Sequence, residues 1–146
     1  MSKDKYAEIR LCNQMCFPLY ACSKEIVRRY KPFLDELELT YTQYIAMMVL
    51  WERREVTVKE LGKELLLDSG TLTPLLKKLE SKGYVTRERM ESDERNLKVT
   101  ITQKGDALKD EAVKVPQKMR GCIALSQEEA EQLCKILHKL IADFTE

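Results

Sequence analysis

The apolar residues of this chain change period once, and the change falls at Gly83. Before it, Leu72, Leu75, Leu76 and Leu79 keep the i, i+3, i+4, i+7 spacing of one helical face. After it, Leu97, Val99 and Ile101 alternate with Lys98, Thr100 and Thr102. A period near 3.6 that gives way to a period of two predicts a helix feeding a half-buried strand. Gly83 stands where a C′ glycine ends a helix. Tyr84 to Met90 reads as the first arm of a hairpin, Glu91-Ser-Asp-Glu-Arg-Asn96 as its polar turn and Leu97 to Thr102 as the second arm. Pro74 leaves the helix start open. With Asp68 or Ser69 as N-cap it removes one backbone bond in the second turn; with Thr73 as cap it stands at N1.

Upstream, Thr40-Tyr-Thr-Gln43 and Thr57-Val-Lys-Glu60 are capping boxes. They open a helix through Tyr44, Met47, Met48 and Trp51, and a short helix with Val58, Leu61 and Leu65 inward. Ile9, Cys12, Cys16, Leu19, Ser23, Ile26 and Tyr30 share a face of an N-terminal helix, with Leu11, Met15 and Cys22 on a second side. A helix apolar on two sides is sandwiched, and a partner subunit can supply the second layer. Pro32 is expected to end it and Pro18 to bend it, at the loss of a bond to Gln14. A helix is expected after Gly105, interrupted at Pro116 and Gly121. Ser126-Gln-Glu-Glu129 then caps a last one through Leu133, Ile136, Leu137, Leu140, Ile141 and Phe144.

Helix, short helix, helix and hairpin follow one another in the order of a winged helix-turn-helix, a mainly α fold with a small β-hairpin wing. Its 146 residues make a single domain. A net charge of +1 excludes a uniformly basic nucleic-acid coat, so binding has to be local. Ser69, Thr71, Thr73, Lys77 and Lys78 lie opposite the leucines, and from Lys77 to Lys104 there are eight Lys or Arg against five Asp or Glu. Taken alone, that face is an ordinary solvated one.

"DSGTLTPLLKKLESKGYVTRERMESDERNLKVTITQKG" closely resembles the recognition helix and wing of the MarR family, with Asp93-Glu-Arg95 and Ile101-Thr-Gln-Lys-Gly105 as its signatures. "LCNQMCFPLY", "LTYTQYIAMMVLWE" and "LDSGTLTPLLKK" resemble its OhrR-like branch of organic-hydroperoxide and thiol-based regulators. The resemblance implies a homodimer formed through 1–39 and 105–146, with 40–104 as the DNA-binding region. It implies a repressor of double-stranded, pseudo-palindromic operator DNA. The contacts would come from Asp68, Ser69, Gly70, Thr71, Thr73, Lys77 and Lys78, with Arg95 in the minor groove and Asp93 and Arg87 bracing it or touching the backbone.

From Leu11 to Ser23 the chain holds three of its five cysteines and no charged residue. An odd number disfavours a purely structural disulfide set. A metal site would need ligands that the single histidine, His138, is badly placed to give, so neither metal nor cofactor is expected. Cysteines on an apolar stripe are usually small buried hydrophobes, the reading for Cys12, Cys22 and Cys134. Cys16 differs by resemblance: it matches the family's peroxide-reactive cysteine, with Tyr20 one turn on and Tyr30 and Tyr41 at the positions of partner-subunit tyrosines that hold the thiolate. Hydroxyl donors favour the charged sulfur where no cation stands nearby. Some members resolve the oxidised sulfur with a low-molecular-weight thiol, others with a second cysteine; here Cys122, or less suitably Cys134, is the candidate. Oxidation by an organic hydroperoxide would then release the DNA.

Two other readings stand beside this one. A small aromatic or phenolic ligand could be the effector, in a pocket of Phe17, Tyr20, Tyr41 and Trp51. A thiol peroxidase could use Cys16 as nucleophile, although no Arg or Thr lies within a turn of it to orient a peroxide. No apolar run approaches the ~20 residues of a membrane span, and Met1-Ser-Lys-Asp-Lys predicts no leader, so the expected location is cytoplasmic, without membrane partners.

Overall fold

The computed structural model describes residues 4–145, and at 93–95 the backbone alone. Two 3₁₀ turns, Ala7–Ile9 and Leu11–Asn13, precede α1, which runs from Cys16 to Asp35. The expected single helix from Ile9 is therefore broken ahead of Cys16, and Cys12 and Cys16 do not share a helix. Pro18 explains the start. It falls in the first turn of α1, where a backbone N–H has no partner within the helix, so it neither costs the bond to Gln14 nor bends the helix. Pro32 does not end α1 either. The helix continues because its last turn plants Leu34 in the core and Lys31 pairs with Asp35 at 2.8 Å.

Helix α2 (Tyr41–Arg53) opens on the Thr40 capping box, with Thr40 Oγ1 accepting from the Gln43 N–H and Gln43 Oε1 from the Thr40 N–H. A three-residue strand, β1 (Glu55–Thr57), comes next, which no periodicity in the sequence predicts. It leads through the Thr57 capping box into α3 (Val58–Leu65). The recognition-type helix α4 (Ser69–Ser81) is capped by Asp68, whose Oδ1 accepts from the Thr71 N–H at 2.8 Å. That choice leaves Pro74 inside the helix. Gly83 adopts φ +77°, and the bonds Gly83 N–H to Glu80 O and Tyr84 N–H to Leu79 O complete a Schellman stop.

The wing consists of β2 (Val85–Met90) and β3 (Asp93–Ile101). The reversal is tighter than expected: Met90 pairs with Asp93, and only Glu91 and Ser92 turn the chain. Arg89 then pairs with Leu97, so residues 94–96 form a bulge in β3 rather than a loop. On its other edge β3 takes β1, giving an antiparallel sheet in the order β1-β3-β2. Helices α5 (Gln103–Ala107), α6 (Lys109–Ala112) and α7 (Lys114–Arg120) follow, beginning at a Thr102 cap ahead of the expected Gly105. Helix α8 (Gln127–Thr145) begins at the Ser126 capping box, with Ser126 N–H to Glu129 Oε2 at 2.8 Å.

The core gathers Leu34, Met47, Leu50, Leu61, Leu72, Leu76, Leu79, Val85 and Val99. All of these lie between α1's last turn and β3. Apart from Leu34, α1 packs only Tyr30 and Phe33 partly against this core, and α8 buries no residue in the single chain; Phe17, Leu19, Ile136 and Phe144 on these helices, and Leu11 and Met15 just ahead of α1, are exposed. Among the described residues no helix is long and apolar enough to cross a membrane.

Candidate functional site

The polar face of α4 forms because its leucines point the other way. Leu72, Leu75, Leu76 and Leu79 are buried, while Ser69, Gly70, Thr71, Thr73, Lys77 and Lys78 are exposed on one surface. Asp68 lies at the same end but is engaged as the cap. The side chains of Asp93 and Arg95 lie outside the described residues; their backbone forms the start of β3 at the wing tip.

Arg87 is not free at the surface. Its guanidinium grips Glu80 of α4 through Nε at 3.0 Å and Nη2 at 2.8 Å, and its N–H donates to Glu80 Oε1 at 3.1 Å. This clamp fixes the wing against the recognition-type helix, and nothing local in the sequence signals a pair that spans the turn at Gly83. Hydrogen bonds from Arg87 hold the Glu80 carboxyl below the usual glutamate range. A depressed carboxylate adds stability above its unfolded value and loses it as pH falls through the depressed one. Glu80→Gln should therefore melt below wild type at pH 7, with the difference shrinking towards pH 3 in a series of thermal unfolding curves. A difference constant across the series would mean that the Glu80 charge is not what holds the clamp.

At the base of the wing, Trp51 Nε1 donates to the Gly105 carbonyl at 2.9 Å, and Thr102 Oγ1 donates to the Gly83 carbonyl at 2.6 Å while accepting from the Gly105 N–H. Helix α5 is thereby locked to the hairpin. Composition and spacing do not reveal this knot.

Four of the five thiols are exposed in the single chain: Cys12, Cys16, Cys22 and Cys134. The expectation that Cys12, Cys22 and Cys134 are core residues is thus not met within one chain, since α1 and α8 turn these faces outward. Cys16 is the first residue of α1, among the uncovered Met15, Phe17 and Leu19, with the positive end of the helix beside it. Tyr20 lies one turn on, exposed, with the Lys24 ammonium 5.1 Å from its ring centre. Tyr30 is fourteen residues from Cys16 along the same helix, about 21 Å at 1.5 Å per residue. It packs on Tyr41 at 5.0 Å between ring centres and on Tyr44 at 6.1 Å. Burial and the neighbouring Tyr41 raise the Tyr30 hydroxyl above its usual range, keeping it a proton donor. One chain therefore holds Tyr30 and Tyr41 together and keeps both away from Cys16.

Cys122, half-buried, lies in the connection between α7 and α8, and its Sγ donates to the Lys118 carbonyl at 3.6 Å. Beside it opens a cleft of about 720 Å³ whose walls include Tyr30, Met119, Arg120, Ile123 and Leu125. A second cleft of about 370 Å³ is lined mainly by apolar residues, Tyr44, Met48, Trp51, Ala112, Val113 and Pro116, together with the charged Glu52 and Lys109. Of the four residues expected to form an aromatic-ligand pocket, only Trp51 lines it; Phe17 and Tyr20 lie at the far end of α1, and Tyr41 packs on Tyr30. Among the described residues no group of three His, Cys, Asp or Glu is placed to hold a metal ion.

The family described as transcriptional regulator SarA/Rot matches residues 28–112. The chain is 45% identical over 139 residues to the organic hydroperoxide resistance transcriptional regulator of Bacillus subtilis, covering 95% of each. Reduced AbfR bound to DNA superposes with a TM-score of 0.79 at 34% identity, covering 97% of this chain and 99% of that one. The disulfide form of AbfR, a protein of Staphylococcus epidermidis, superposes at 0.63 with 38% identity, over 91% of this chain and 96% of that one. The matched family and the Bacillus subtilis relative are named as transcriptional regulators, a class without enzymatic activity.

Proposed function

The chain belongs to the SarA/Rot family of MarR-type winged-helix transcriptional regulators, on the branch of the organic-hydroperoxide regulators, and on that premise we propose that it is a redox-responsive repressor. Reduced, a homodimer presents two α4 helices to successive major grooves of a pseudo-palindromic operator, with the wing tips, Arg95 included, in the flanking minor grooves. Ser69, Gly70, Thr71, Thr73, Lys77 and Lys78 face the duplex from α4, while Asp68 and Arg87 hold that helix and the wing in position.

The place of Cys16 carries the reading. It is an exposed thiol at the first turn of a helix whose apolar face has no cover in one chain. A second copy that covers this face can bring its Tyr30 and Tyr41 to the sulfur, which the separation along α1 forbids within a chain. The phenols and the positive helix end then favour the anionic sulfur. An organic hydroperoxide takes it to sulfenic acid. Removing the charge that held the tyrosines, and adding bulk at the interface, shifts the spacing of the two α4 helices. The similarity to AbfR, a protein solved both reduced on DNA and with a disulfide formed, supports a cysteine-based response. We assign the second thiol of the disulfide to Cys122, which stands beside the cleft that Tyr30 lines, in preference to Cys134; a low-molecular-weight thiol can substitute for it.

The test is Cys16→Ser. In fluorescence anisotropy with operator DNA selected in vitro, this variant should bind within about twofold of wild type and stay bound at a cumene hydroperoxide dose that fully releases wild type. Release at the wild-type dose refutes the sensor role.

The apolar cleft of about 370 Å³ favours a second reading, displacement of DNA by a phenolic ligand, since its size suits a small aromatic molecule. Loss of DNA binding on adding a phenolic acid, with no response to hydroperoxide, would select it.

A further inference from the structure

Cys122 belongs to a segment that the fold secures from outside, through one side chain of α1. Arg29 projects from the middle of α1, where its Nε donates to Glu25 Oε1 at 3.0 Å and its Nη1 donates to the backbone carbonyl of Cys122. Glu25 is shared with Arg28, whose Nη2 stands at 2.8 Å. The two guanidiniums hold the Glu25 carboxyl at about 2, and the bond from Nε to Glu25 orients the Arg29 guanidinium towards the Cys122 carbonyl. A second tie, Lys118 to Glu36 at 2.8 Å, fastens α7 to the end of α1 but acts four residues before the thiol. Gly121 and the 3₁₀-like bond from the Cys122 N–H to Met119 O leave the following residues, up to Ser126, without regular structure. Beyond these local bonds to α7, Arg29 is thus the side chain that ties the backbone of Cys122 to α1. Its neighbours Arg120 and Ile123 line the cleft shared with Tyr30, the place where the partner's sulfur is received in the proposed redox cycle.

We propose that Arg29 is a positioning residue for disulfide closure: its fork sets Cys122 at the rim of the Tyr30 cleft, in reach of Cys16 from the partner subunit. This role rests on the redox reading of the chain. In the first step the anionic sulfur of Cys16 attacks the terminal oxygen of the hydroperoxide. The O–O bond breaks, the sulfur becomes the two-electron-oxidised sulfenic acid, and the alkoxide leaves and takes a proton from water to give the alcohol. In the second step the Cys122 sulfur attacks the Cys16 sulfur. The S–S bond forms, the S–OH bond breaks, and the hydroxide leaves with the Cys122 proton as water. Arg29 touches neither sulfur. It acts only on the second step, because holding two reacting atoms in place raises their effective concentration, and small misplacements are costly.

The experiment follows both steps in full-length protein treated with cumene hydroperoxide. Dimedone trapping reads sulfenic acid at Cys16, and non-reducing electrophoresis with peptide mass mapping reads the bond. Arg29→Ala should form sulfenic acid at the wild-type rate and close the disulfide about tenfold more slowly, so that trapped Cys16 accumulates. Arg29→Lys, which keeps a donor for the carbonyl but lacks the fork, should fall between. DNA affinity and dimerisation of the reduced variants should match wild type, which a merely structural role for Arg29 would not leave unchanged. If wild type bonds Cys16 to Cys134, or forms no bond between chains, the assignment of Cys122 fails and the role of Arg29 fails with it. If wild type joins Cys16 to Cys122 and Arg29→Ala does so at the same rate, the redox reading stands and the role of Arg29 alone is overturned.

Discussion

Gly105→Ala should lower the melting temperature by roughly 6–12 °C, the shift expected of about 3 kcal/mol in a chain of this size. A methyl group built on Gly105 would stand 2.1 Å from the carbonyl oxygen of Tyr84 and 3.1 Å from Ile101 Cγ1. The first contact is with backbone, not with the end of a side chain that can swing away, so α5 must back off from the hairpin. Doing so pulls on three bonds at once: Trp51 to the Gly105 carbonyl, the Gly105 N–H to Thr102, and Thr102 to Gly83. The Trp51 bond is buried, and a buried polar group left without its partner costs about 1–3 kcal/mol on its own. Trp51 is the only tryptophan, so its emission follows the same transition that calorimetry measures. The variant should also bind DNA more weakly at 25 °C, because the knot it loosens is the anchor of the wing. A melting temperature within 1 °C of wild type would mean that α5 does not rest on the hairpin.

The parts of this fold that the sequence revealed are those specified by a few neighbouring residues. Each capping box is a reciprocal pair three residues apart, and Thr40, Thr57 and Ser126 all open helices as their signatures require. Gly83 is equally local, since only glycine takes its φ without strain. The failures come from reading periodicity across a break. Apolar spacing runs unbroken from Ile9 into α1, yet Pro18 is the better guide, because a proline sits without cost only in a first turn. Strand β1 is three residues long, too short to show a period, and is defined by its partner Val99 rather than by itself. The candidate site divides in the same way. The face of α4 follows from the positions of its leucines. The Glu80–Arg87 clamp and the Arg29–Cys122 tie join residues seven and ninety-three apart, and no spacing rule reports them. The juxtaposition of Cys16 with Tyr30 and Tyr41 is set between two chains, and is legible in the sequence only through resemblance.

Ile136→Asp should leave the core of the chain folded and abolish tight operator binding, because it removes the contact between two copies. Ile136 is 59% exposed and Phe144 79% exposed on α8, a helix that buries no residue in the single chain. A 19-residue helix with an apolar stripe and no core contact has little reason to stay formed or in solution unless something covers it. In the proposed homodimer that cover is the same region of the second copy. A two-fold interface meets each substitution twice. An unpaired carboxylate there costs on the order of 2 kcal/mol per copy, about 4 kcal/mol in all, or roughly a thousandfold in the dimer constant. Each released monomer keeps one α4 and one wing but loses the linkage that makes the second half-site an intramolecular event, a factor of about 10²–10⁴ in affinity. Sedimentation at micromolar concentration should show the monomer, with Trp51 emission and its unfolding transition little changed, since the substituted side chain touches no core, and with circular dichroism losing no more than the signal of the uncovered α8. Peroxide release should vanish as well, because Cys16 loses the tyrosines that only a partner can bring. A variant that sediments as a dimer with wild-type affinity would remove α8 from the interface and leave its apolar face without a cover.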